Sequence, residues 1–94
     1  MSENIRAHIF VSGRVQGVFF RAETHQKARQ LGLTGWVKNL SDGRLEAVFE
    51  GKRVQIGQML NWAKSGPPGA IVKDLDLIWE EYKAEFSQFE IKHG

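Results

Sequence analysis

The chain has 94 residues and a formal net charge of +2, so we expect a single domain spanning 1–94. Hydrophobic residues make up 41% of it, enough apolar material for a core, and the absence of cysteine excludes disulfides and thiolate metal sites. No apolar stretch approaches the roughly 18 residues of a membrane span, and no signal peptide is apparent. The basic residues are too dispersed to indicate nucleic acid. We therefore expect a cytoplasmic protein without a membrane or nucleic-acid partner.

The first part of the chain predicts a strand, a loop and a helix. Apolar and polar residues alternate from 5 to 12, which is typical of a strand with one face on the core. Gly13 and Gly17 bracket a loop, and the pattern then changes to helical spacing from about 21 to 31. One face of this helix carries residues four, four and three apart: Phe20, Thr24, Ala28 and Leu31. Gly32 is placed to end the helix in a left-handed conformation.

The remaining elements predict an α+β fold. In order they are a strand at 36–40, a turn at 41–43, a strand at 45–50, a helix at 52–64, a strand at 74–79 and a short strand at 89–91. The turn contains Asp42 and Gly43, which favour a hairpin, and the prolines at 67 and 68 end the second helix. The order β-α-β-β-α-β plus one strand predicts a ferredoxin-like sandwich, with two helices on one face of a mainly antiparallel four- to five-stranded sheet.

The loop between the first strand and the first helix has the features of an anion site. It holds two glycines and no acidic residue, and it enters a helix whose first N–H groups lack partners and carry partial positive charge. Successive amides in a turn form a nest that suits phosphate. Arg21 adds a planar donor fork that matches phosphate oxygens. Most loops of this kind are only connections, however, and this one lacks the Gly-Lys-Ser/Thr ending of a nucleotide-binding Walker loop.

Two stretches of the sequence resemble the signatures of a known family. The run VSGRVQGVFFR at 11–21 resembles the first acylphosphatase signature at every fixed position: glycine, any residue, Val-Gln-Gly, an apolar residue, any residue, an aromatic and arginine. The run GWVKN at 35–39, followed by Gly43 and Gly51, is similar to the second signature. It departs at Leu45, where the family usually has valine. The resemblance covers essentially the whole chain in element order and length.

This resemblance implies an enzyme that hydrolyses acyl phosphates to a carboxylate and inorganic phosphate without a metal or cofactor. Arg21 would bind the phosphoryl group, and Asn39 would position the attacking water. Backbone amides of the loop would bind the remaining phosphate oxygens: Val15, Gln16, Gly17, Val18, Phe19 and Phe20. The expected partners are a small acyl phosphate and, as product-like ligands, inorganic phosphate or sulfate. We expect a monomer because the chain is small.

Three further residues are predicted to support the site, and a set of apolar neighbours to shield it. Gly13 forms the turn, and Ser12 could support the loop. Thr24 lies one turn after Arg21, where its hydroxyl could brace the loop or the Asn39 side chain, or bond back to its own helix instead. Four apolar side chains would exclude water from the site and so strengthen its electrostatics: Val15, Val18, Phe19 and Phe20.

Other polar residues and other functions have weaker support. The histidines at 8, 25 and 93 are scattered without metal-ligand spacing, and Asp74 and Asp76 share a strand face that we expect to be solvated rather than to bind a metal. An RNA-binding module would need aromatics in an RNP-type run on central strands, which Phe10 and Phe49 do not provide. A domain detached from a larger carbamoyl-transfer protein is disfavoured because zinc-finger cysteines are absent. The acyl group stays open among acetyl phosphate, carbamoyl phosphate and bisphosphoglycerate.

Overall fold

The computed structural model describes residues 3–93 and contains five strands and two helices. Their bounds are β1 (Asn4–Arg14), α1 (Phe20–Gln30), β2 (Thr34–Asn39), β3 (Leu45–Lys52), α2 (Arg53–Ala63), β4 (Ile71–Glu80) and β5 (Phe89–Ile91). The predicted order of elements is confirmed, with the largest difference in bounds at β4, which begins at Ile71 rather than at 74. Within the described range no helix has the length and apolarity that crossing a bilayer requires.

The five strands form one sheet in the order β4-β1-β3-β2-β5. The pairs β1–β4, β1–β3 and β2–β3 are antiparallel, and β5 joins the outer edge of β2 in parallel. Helix α1 contacts β2 and β5, and α2 contacts β3 and β1. The predicted ferredoxin-like α+β sandwich is therefore confirmed, and β5 is the small extra strand.

The core lies between the helices and one face of the central strands. The strand residues that point to this face are at most 1% exposed: Ala7, Ile9, Val11, Leu45, Ala47 and Phe49. Helix α1 adds Phe20 and Ala28, and α2 adds the four residues Ile56, Met59, Leu60 and Ala63. Gly32 has φ +73°, and the Leu33 N–H donates to Ala28 O at 2.9 Å. The predicted left-handed end of the first helix is thus confirmed.

Strand β4 is largely exposed, although its sequence alternates between apolar and acidic residues. Val72 and Leu75 are half-buried against the core. Leu77 is 38% exposed and Trp79 is 55% exposed. The reason is positional: β4 lies at the edge of the sheet beyond β1, and the helices pack over the other strands. Alternation correctly predicts a strand here, but the apolar face of that strand is only partly buried.

The face of the sheet away from the helices carries a network of ion pairs. Arg6 is 8% exposed and bonds Glu50 at 3.2 Å, Glu80 at 2.8 Å and Glu85. Burial lowers the pKa of the Arg6 guanidinium, but these three carboxylates outweigh it and raise the pKa above its ordinary value. His8 lies between Glu46 and Glu80, and its hydrogen bond, with that of Arg6, lowers the pKa of the Glu80 carboxyl. The network links β1 to β3 and β4.

Candidate active site

The loop follows the end of β1, where that strand pairs with the start of β4. Gly13 allows β1 and β4 to approach closely. It has φ +121°, and a Cβ there would lie 2.1 Å from Ile71 O. The pairing of β1 with β4 shifts between Ser12 and Gly13, which marks an irregularity at the loop entrance. The Ser12 hydroxyl lies 3.5 Å from Asp74 O, long for a hydrogen bond, and makes no hydrogen bond to the loop. Ser12 and Gly13 therefore belong to β1 beside β4, and the loop begins after Arg14 rather than at Gly13.

The loop backbone leaves its N–H groups without internal partners. Gly17 has φ +75° and Phe19 has φ 64°, whereas residues 18 and 20 do not have positive φ. A backbone in which residues with positive φ alternate with residues with negative φ can turn successive N–H groups toward one point and form an anion nest. No N–H from residue 15 to residue 22 donates a hydrogen bond to any group in the part of the chain that the structure describes. The loop and the first turn of α1 therefore present free donors for an anion.

Two apolar side chains fix this loop to the core, and a third does not. Val15 and Phe20 are each 1% exposed, and the Phe20 ring meets Trp62 edge-on at 5.4 Å. Phe19, by contrast, is 77% exposed. Phe19 stands at the N-cap of α1 and also lines the cleft described below, so its part in excluding water stays a prediction. Val18 is half-buried.

The loop and the end of β2 enclose a cleft of about 230 Å³. It is lined by Val15, Gly17, Phe19, Phe20, Arg21, Ala22 and Asn39. No acidic residue lines this cleft, and no carboxylate of residues 3–93 pairs with Arg21, whereas Arg6, Arg44 and Arg53 all have acidic partners. Arg21 and Asn39, predicted from two separate signatures, thus lie in the same cleft, with a guanidinium available to an anion.

Asn39 is the last residue of β2, and its side-chain amide is unusual. Its Oδ1 is buried and has no hydrogen-bond partner among the described residues. A half-turn of the amide would exchange Oδ1 and Nδ2 without the loss of a hydrogen bond to Oδ1. Asn39 lines the same cleft as Arg21 and the loop.

Gln16 connects the loop to the turn that follows Asn39. Its Nε2 donates to Leu40 O at 2.7 Å and to Arg44 O at 2.9 Å. The turn itself is closed by hydrogen bonds from Arg44 to Asp42, which also lower the pKa of that exposed carboxyl. Sequence reasoning assigned only the backbone amide of Gln16 and missed this side-chain link. An amide side chain in an otherwise apolar, glycine-containing loop was the available signal.

Thr24 lies on the buried face of α1 and makes none of the three hydrogen bonds that were predicted as alternatives for its hydroxyl. It is 1% exposed, and its hydroxyl has no hydrogen-bond partner among residues 3–93. It bonds neither the loop, nor Asn39, nor its own helix. In the structure its contribution is to fill space on the buried face of α1.

The acidic and histidine side chains outside the cleft were not expected to bind a metal. Asp74 and Asp76 are exposed on β4, in agreement with a solvated strand face. Across the described range, no three His, Asp or Glu side chains are grouped in a way that could hold a metal ion.

Comparison with known proteins gives one family. A family model described as acylphosphatase matches residues 7–91. An acylphosphatase from Pyrobaculum islandicum is 52% identical over 90 residues, which cover 95% of each chain. The match therefore extends over nearly the full length of both proteins and includes the loop, Arg21 and Asn39.

Solved structures show the same similarity. An acylphosphatase from Coxiella burnetii superposes with a TM-score of 0.90 at 42% identity and covers 95% of this chain and 93% of that one. Full-length HypF has a TM-score of 0.84 over 98% of this chain, but the match covers only 12% of HypF at 24% identity. The second similarity concerns the fold alone.

Proposed function

The chain belongs to the acylphosphatase family, and on that premise we propose that it hydrolyses acyl phosphates to a carboxylate and inorganic phosphate. In the proposed scheme Arg21 and the loop amides bind the phosphoryl group, and Asn39 positions water. The observation that carries the proposal is the combination, in one cleft, of unpartnered N–H groups from residue 15 to residue 22 with an unpaired guanidinium at Arg21.

The phosphoryl end of the substrate matches the charge of this cleft. Phosphoryl transfer passes through a loose transition state, so catalysis depends mainly on positioning and on stabilising the phosphoryl oxygens. Preorganised amides and Arg21 supply that stabilisation. The helix α1 adds the partial positive charge of its N-terminus, where these amides lie. Gly13 allows β1 and β4 to approach closely before the loop, and Val15 and Phe20 hold the loop on the core.

Hydrolysis itself requires a positioned water. The water oxygen attacks phosphorus, and the bond between phosphorus and the carboxyl oxygen breaks to release a carboxylate. A carboxylate is a good leaving group, so no strong acid is needed. Asn39 cannot remove a proton, but its Oδ1 can accept a hydrogen bond from the water and hold it in line. We propose that the proton of the water passes to a phosphoryl oxygen of the substrate.

We propose that the enzyme is a monomer acting as a single domain, because the chain is small and its cleft already contains the loop, Arg21 and Asn39. We propose that it acts in the cytoplasm on free acyl phosphates. On the sheet face away from the helices, Arg6 and His8 are engaged by Glu46, Glu50 and Glu80, so these two basic side chains are not free to bind the phosphates of RNA. The binding-module alternative is therefore less well supported than the enzyme.

The direct test is the hydrolysis of benzoyl phosphate by the wild type and by Arg21→Ala, with chelator present throughout. We expect kcat/KM of Arg21→Ala to fall by about 10²-fold or more, because the variant lacks a cationic donor to the transition state. Arg29→Ala removes the same charge from the exposed end of α1 and serves as the matched control. Equal activity of the two variants would contradict the proposal.

A further inference from the structure

Phe19 has a backbone conformation that its residue type disfavours. Its φ of 64° and ψ of 16° lie in the left-handed region, where the Cβ of a bulky residue crowds the backbone. Strain of this kind persists when the surrounding structure or the function maintains it. The ring gains little from the core in return, because Phe19 is 77% exposed, the highest value among the large apolar side chains of residues 3–93. The amide nest accounts for this backbone conformation, which glycine would adopt more easily, but it does not account for the exposed aromatic ring.

Phe19 nevertheless lines the cleft that contains Arg21 and Asn39. The free amides and Arg21 match the phosphoryl end of a substrate, so the acyl end must meet the rest of the lining. Val15 and Phe20 present almost no surface, since each is 1% exposed. Among the residues that line the cleft, Phe19 is therefore the large apolar one with exposed surface available to an acyl group.

We propose that Phe19 is a specificity residue that packs against the acyl group, so that the enzyme favours acyl phosphates with an aromatic or bulky apolar acyl group over acetyl phosphate. This inference rests on the proposed function and deepens it. Aromatic pairs contribute energies that correspond to about a two- to tenfold preference in kcat/KM. A small or charged acyl group gains little from the ring, so the preference depends on the acyl end alone.

The test compares kcat/KM for benzoyl phosphate with kcat/KM for acetyl phosphate in the wild type, Phe19→Gly and Phe19→Ala. Glycine adopts the left-handed conformation freely, and alanine removes the ring but keeps a Cβ. Any change in the amide nest affects both substrates, so it cancels in the ratio. We expect the benzoyl-to-acetyl ratio to fall by about two- to tenfold in both variants.

Trp79→Ala is the matched control, because Trp79 is an exposed aromatic on β4 that does not line this cleft. It should keep the wild-type ratio. A wild-type ratio in both Phe19 variants would overturn the assignment of Phe19 while leaving acyl phosphate hydrolysis intact. If the wild type hydrolysed neither substrate, the proposed function would be wrong, and the specificity role with it.

Discussion

Among single residues, Gln16 links the phosphate-binding loop to the turn that follows Asn39. Gln16→Ala removes two hydrogen bonds to Leu40 O and Arg44 O, and we expect the free energy of unfolding to fall by about 1–3 kcal/mol. Because Asn39 precedes Leu40, kcat should fall more than phosphate affinity. Urea unfolding, kcat and the inhibition constant of phosphate measure these effects. Gln58→Ala, on an exposed position of α2, is the control, and an unchanged kcat in Gln16→Ala would contradict the link.

Some residues of the site could be predicted from the sequence, and others could not. Arg21 and Asn39 could be named because each is a fixed position of a signature, and the fold brings them to one cleft. The side chain of Gln16 could not be assigned, because its acceptors are carbonyls more than twenty residues away whose position depends on strand pairing. The high exposure of Phe19 could not be predicted, because hydrophobicity indicates burial and does not reveal the left-handed backbone at this position.

Among the elements, the junction of β1 and β4 depends on the absence of a side chain at Gly13. Gly13→Ala would place Cβ 2.1 Å from Ile71 O at positive φ, so we expect a loss of about 1–3 kcal/mol or more in unfolding free energy. Gly57→Ala is the matched change, because Gly57 lies in α2 with open space around it. It should raise stability by about 0.5–1 kcal/mol. Urea denaturation of both variants checks the prediction, which equal shifts would contradict.

The contact between β1 and β4 also has a pH dependence. His8 and Arg6 lower the pKa of the folded Glu80 carboxyl below its ordinary value of 4.5. A depressed carboxyl pKa contributes stability that is present above that ordinary value and is lost as the pH falls through the folded pKa. Between about pH 6 and about pH 3, the wild type should therefore lose more stability than Glu80→Gln.

Thermal unfolding at the two pH values measures the difference for Glu80. Glu90→Gln is the control, since Glu90 is exposed on β5 and forms no ion pair among the residues described. Equal acid sensitivity of the wild type and Glu80→Gln would show that this carboxylate does not stabilise the junction.

Elements were predicted well where local patterns and burial agree. The buried face of α2 is the one given by its spacing of Ile56, Met59, Leu60 and Ala63. The exposure of β4 could not be predicted, because periodicity does not say which strands lie under the helices. That depends on the strand order, which places β4 at the edge.

At the scale of the whole molecule, the sheet makes the site from distant parts of the chain. The loop follows β1, and Asn39 ends β2, with β3 between these strands in the sheet. Element order and length predict this topology. Because β1 and β2 both pair antiparallel with β3, they run in the same direction, and their C-terminal ends lie at the same end of the sheet. Binding and hydrolysis can therefore be separated by mutation, because the nest and Asn39 belong to different elements.

The most direct test of this account is a measurement of phosphate binding and benzoyl phosphate turnover on the same preparation of Asn39→Ala. Titration calorimetry should give a phosphate Kd close to that of the wild type, since the amides and Arg21 are intact. Turnover should fall by about 10²-fold or more, because the water is no longer held in line. If Asn39→Ala hydrolysed benzoyl phosphate at the wild-type rate, or lost phosphate binding together with turnover, the division of roles between the loop and Asn39 would be wrong.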